Sequence, residues 1–195
     1  GTWILGLGGL ALLGIAAIQS PPRRSRGPLG PLASLISSWE WIQFDREVRH
    51  GAWQEAYVYA RRALELDPHS VEGWSQLASH LVFLRGSLEN EPRGDQRVAW
   101  MQRGLAILEE GERRSDRPAE LALIRGQILA FWITSQAQDA DAALPWPGGA
   151  EAAWQAGVEA LQRAHAAGLH AAEGPLAWAL EAGQTLNWLP SSQPR

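Results

Sequence analysis

Apolar and polar residues alternate along this chain in two regimes. Residues 1–20, GTWILGLGGLALLGIAAIQS, are apolar almost throughout and carry no charge. From Trp39 onward the apolar residues instead recur at steps of three and four, separated by breaks at Asp67-Pro68, 86–94 and 139–149. The first regime fits a membrane span: roughly 20 apolar residues at 1.5 Å each cross a hydrocarbon layer of roughly 30 Å. The second fits amphipathic helices that each bury one stripe. Between them, 21–38 is rich in Pro and Gly and reads as a linker. The expected division is a transmembrane helix at 1–20, a linker at 21–38, a helical domain at 39–190 and a tail at 191–195.

Within the second regime, 51–68 open and close one helix, with Ala56, Tyr57, Ala60, Ala63 and Leu64 on its apolar side. The next carries Trp74, Leu77, Ala78 and Leu81. Further helices are expected at 39–49, 95–110, 118–132, 149–167 and 171–189. Pro118 and Pro175 suit first-turn positions, where a missing N–H costs nothing. The result is about three and a half helix pairs.

The stretch from Ala56 through ALELDP (63–68) to W-x-x-L-A-x-x-L (74–81) resembles a tetratricopeptide repeat (TPR). The resemblance implies paired antiparallel helices stacked into an all-α solenoid. Pro68 corresponds to the family's terminal Pro, and Trp74, Leu77, Ala78 and Leu81 to its first-helix signature. Phe44 falls where the family has a small residue, and the insertion at 86–94 breaks the 34-residue period. The family binds extended or helical peptides on a concave face. The residues placed there by the resemblance and by first-helix spacing are Gln43, Arg46, Glu47, Ser75, Gln76, Ser79, His80 and Arg125.

Composition narrows the chemistry. The chain has no Cys, and its 17 basic residues are all Arg. Thiolate nucleophiles, thiolate-held metals, P-loop lysines and Schiff-base lysines are therefore excluded. The five His form no HExxH pattern, and no metal or cofactor is expected. The Arg93-Gly94-Asp95 triplet is a short chance match to an adhesion motif. The segment 86–95 lacks the alternating ligands of a calcium loop. Outside Arg23, Arg24 and Arg26 the chain is acidic, which argues against nucleic acid.

The three arginines beside the apolar run place the helical domain on the cytoplasmic side, with a bacterial inner membrane as the expected location and the periplasmic side as the alternative. Trp3, Trp39 and Trp41, with Arg23, Arg24 and Arg26, are expected at the membrane interface, where indole and guanidinium groups sit well. Of 11 Trp, Trp53, Trp74 and Trp154 lie on core stripes, whereas Trp39, Trp41, Trp146 and Trp188 are candidates to face lipid or a partner. The expected function is non-enzymatic: a membrane-anchored scaffold that binds protein partners as an accessory or assembly subunit, or an adaptor that recruits them transiently.

Overall fold

A computed structural model describes residues 31–188 except 141 and 143. The expected span at 1–20, with Trp3, Arg23, Arg24 and Arg26, lies outside the described residues, as does the tail. Among the described residues the chain is all-α, with seven helices, no strand, and no helix long and apolar enough to cross a membrane.

Helix α1 runs Pro31–His50 and α2 Trp53–Leu66. Helix α3 covers 71–85, as an α-helix Val71–Ser79 that widens into π-helix over His80–Arg85. Helix α4 is Gly94–Arg114. Helix α5 covers 118–138 and carries its own π segment at Ile128–Ile133. Helix α6 is Gly149–Ala166, and α7, Glu173–Thr185, follows a single 3₁₀ turn.

The largest departure from the sequence expectation is the start of α1. It begins at Pro31, inside the segment read as linker. Pro31 has the fixed φ of a first helical residue, and Leu32, Leu35, Ile36 and Trp39 continue the three-and-four spacing upstream. The other starts follow local chemistry. Ser70 caps α3, its hydroxyl accepting from the Gly73 N–H at 3.0 Å. Pro118 opens α5. Between α1 and α2 only Gly51 and Ala52 remain, and Gly51 sits at φ 74°, which an L side chain resists. Its N–H donates to Val48 O, and that of Ala52 to Glu47 O, so the last carbonyls of α1 are satisfied within the turn.

Helix α1 packs on α2, α3 on α4 and α5 on α6 as antiparallel pairs. Each pair then packs on the next through α2–α3, α4–α5 and α6–α7, and α3 also touches α5. Aromatic contacts join the odd-numbered helices in succession. Phe44 of α1 meets His80 of α3 edge-on at 4.8 Å, and Phe83 of α3 meets Trp132 of α5 at 5.4 Å. Phe131 of α5 stacks on Trp178 of α7 at 4.6 Å. Phe83, Phe131 and Trp132 all come from the two π segments. The wider turn there leaves main-chain carbonyls out of helical register, and Thr134 Oγ1 serves one by donating to Leu129 O at 2.8 Å.

The core forms two clusters. The larger centres on Trp74, with Leu64, Leu77, Met101, Leu108, Leu121 and Ile133. The smaller lies between α5, α6 and α7, with Trp154, Leu161, Ala164, Ala172 and Ala179. The connection at 139–148 is tied inward: the buried guanidinium of Arg97 on α4 donates to the Ala142 carbonyl, and Leu144 is buried beside it.

Candidate interaction surfaces

The residues expected on a concave face meet partly on one seam. Gln76 and His80, four apart on α3, share a face. Gln76 Nε2 donates to Asp45 Oδ1 of α1 at 3.3 Å. His80 Nδ1 donates to the Gln76 carbonyl at 2.9 Å and rests its ring on Phe44. Ser79 lies half-buried beside them, and Gln43 is buried. Ser75 bonds back to the Val71 carbonyl of its own helix. Arg46 is exposed and grips the neighbouring Glu47 at 2.6 and 2.9 Å. Arg125 is not on this seam. It makes a two-point pair with Glu112 of α4, at 2.6 and 3.3 Å, with both side chains mostly buried. Most of these groups are thus committed within the fold: Gln76 and His80 across the α1–α3 seam, Arg125 to α4, and Ser75 and Arg46 to partners on their own helices.

The tryptophans sort differently from their sequence placement. Trp39 is 60% exposed, whereas Trp41 turns inward, 5.3 Å from Phe44. Two helical residues apart is about 200° of rotation, so the two indoles cannot share a surface. Trp146 packs on the larger core cluster and Trp188 lies 5.6 Å from Trp154. Trp178, which nothing in the sequence singles out, is 56% exposed and lines a shallow depression on α7 with Glu181, Ala182, Thr185 and Leu186. Trp53 is half-buried and belongs to a surface stack. The Arg85 guanidinium lies over Trp53 at 5.0 Å and over Trp100 at 4.8 Å, and Arg103 covers Trp100 at 5.2 Å.

Sequence reading missed the outward side of α1, where Leu32, Leu35, Ile36, Trp39 and Ile42 all stand exposed. The spacing L-x-x-L-I-x-x-W-x-x-I was the available signal, hidden by its Pro/Gly-rich neighbourhood. In the insertion, Glu91 accepts from Arg93 Nε at 3.0 Å and from the Arg93 N–H at 3.2 Å, and these bonds hold its carboxyl below the usual range. The arginine of the Arg-Gly-Asp triplet is therefore engaged within its own loop. Among the described residues no cluster of three His, Asp or Glu is arranged to hold a metal ion.

No family model, curated protein or solved structure matches the chain.

Proposed function

We propose that this chain is a membrane-anchored, non-enzymatic scaffold of the TPR-like kind, which binds other proteins as an accessory or assembly subunit of a larger membrane complex. The anchor is the uncharged run at 1–20, and the TPR-like character rests on the Ala56–Leu81 signature. One structural observation carries the binding role. Among the described residues, seven of the ten large apolar side chains left exposed lie at the two terminal helices, α1 (Leu32, Leu35, Ile36, Trp39, Ile42) and α7 (Trp178, with Leu186 at its end), against Val58, Leu84 and Leu88 elsewhere. A stack of helix pairs buries its apolar faces between neighbours, so what remains uncovered at its ends is open to contacts outside the stack, with a protein partner, as at α7, or with the membrane beside the anchor, as at α1.

The test is extraction of the full chain from native membranes, followed by native electrophoresis. The expected result is resistance to alkaline carbonate, release by mild detergent, and migration in an assembly much larger than the 21.3 kDa chain. Migration as a lone chain would overturn the subunit reading, and release by carbonate would overturn the anchor.

A further inference from the structure

Helix α1 is apolar on two sides. Ala33, Ser37 and Phe44 are buried, and Trp41 and Val48 pack against the core. The opposite side carries Leu32 (60% exposed), Leu35 (67%), Ile36 (41%), Trp39 (60%) and Ile42 (57%). At 100° per residue these five share one stripe about 15 Å long. Side chains of this size are ordinary when scattered singly on a surface in water, but a contiguous row marks a contact. The polar residues of α1 sort around the row. Ser34 and Ser38 border one side and Glu40 the other, and Arg46, Arg49 and His50 close its far end. The stripe is thus confined to the first three turns, the part of α1 next in sequence to the apolar run.

We propose that this stripe lies in the interfacial zone of the bilayer, with Leu32, Leu35, Ile36 and Ile42 among the outer acyl segments and Trp39 at headgroup level. The inference rests on the anchor reading above and adds where the folded domain sits. Residues 21–30 reach at most about 35 Å when fully extended, so an anchored chain keeps the start of α1 within that distance of the membrane. Tethering holds the stripe at high effective concentration against lipid. Trp is the large side chain best suited to the headgroup layer, and Arg46 has a stem long enough to keep its charge in water while its turn approaches the surface. A helix from a second copy fits less well. A two-helix seam is normally sustained over three or four heptads, whereas this stripe covers 11 residues and ends in an arginine. Lipid needs no matching register. With α1 on the membrane, the depression on α7 stays open to a protein partner.

The Cys-free chain makes the test direct. Leu35→Cys is introduced into the full chain, spin-labelled, and reconstituted in vesicles of phosphatidylcholine with a minority of phosphatidylglycerol. Leu88→Cys, on the exposed insertion, serves as the aqueous reference. Power-saturation resonance then compares collisions with oxygen and with a water-soluble nickel chelate, and far-UV circular dichroism checks that each variant is folded. The expected result is oxygen access exceeding nickel access severalfold at position 35, with the order reversed at position 88. Nickel access at position 35 equal to that at 88 would place the stripe in water and overturn the proposal. Low access to both reagents would mean that protein covers it, either a second copy or residues 1–20, and would overturn it equally. Vesicle flotation in alkaline carbonate separates the two readings. A chain that fails to float loses the anchor itself, whereas one that floats with an aqueous position 35 loses only the stripe.

Discussion

The two core clusters hold a tryptophan in the same way and enclose it differently. Trp74 Nε1 donates to the Pro68 carbonyl at 2.9 Å, and Trp154 Nε1 donates to the Ala179 carbonyl at 2.9 Å. Each ring lies against a glycine of the neighbouring helix: a Cβ on Gly111 would sit 2.7 Å from Trp74, and one on Gly183 only 2.1 Å from Trp154. Beyond that the surroundings part. Trp74 is roofed by two guanidinium groups, Arg61 at 6.0 Å and Arg114 at 5.4 Å from its ring, both held by Glu110. Trp154 has Trp188 beside it and shares an uncharged cluster with Leu161, Ala164, Ala172 and Ala179. The constants are a backbone acceptor for the indole and a side-chain-free slot for the ring. The charged roof is a local addition, and it sets a titratable carboxyl, Glu110, behind the guanidinium groups that cover Trp74.

Truncation should show the constants most strongly. Trp74→Ala and Trp154→Ala should each cost about 3–5 kcal/mol, read as a fall in the urea midpoint by circular dichroism. A much smaller loss at either site would mean that its surroundings collapse onto the gap and that the two clusters are not equivalent.

Filling the slots comes next. Gly183→Ala and Gly111→Ala should each lower stability by roughly 1–3 kcal/mol, with Gly183→Ala the worse of the two because its ring contact is closer. Thermal melting of the pair checks the order, and a reversed order would show that the α7 side yields more readily than the charged side.

The charged roof gives a pH signature. Hydrogen bonds from Arg61 lead the effects that hold the Glu110 carboxyl below its usual value. A group lowered in the folded state contributes stability above its unfolded value, and that contribution is lost as pH falls through the folded one. Glu110→Gln should therefore cost about 1 kcal/mol at neutral pH and progressively less in acid. Equal losses at neutral and strongly acid pH would remove Glu110 from the argument.

The smallest effect separates a needed glycine from an incidental one. Gly174, in the first turn of α7, has no atom within 4 Å of where a Cβ would stand. Gly174→Ala should stabilise by up to about 1 kcal/mol through helix propensity alone. A loss instead would show that α7 relies on freedom at its start.

Legibility in the sequence followed how local each cause was. Helices α2 to α4 could be read because Pro68, Ser70 and the three-and-four spacing sit within the segments they shape. The early start of α1 was obscured because Pro28, Pro31 and Gly30 signal a linker as readily as a helix start. The π segments were not legible, since they depend on hydrogen-bond register and leave no clear mark on residue type. The surface was least readable. Spacing puts Gln76, His80 and Arg125 on first helices, but only the stacked fold commits Gln76 to Asp45 and Arg125 to Glu112. Trp41 and Trp39 look alike in sequence and face opposite ways, because the helix on which both sit has a core side and an outward side.

Arrays of helix pairs commonly unravel from one end, each unit responding only to the next. The bond from Arg97 to the Ala142 carbonyl works against that here, since it ties the second pair to the connection inside the third. Loosening α6 would pull on α4 without passing through α5. Amide hydrogens of α4 and α6 should therefore exchange with similar protection factors in a single cooperative opening, where a simple array would show a gradient from its end inward.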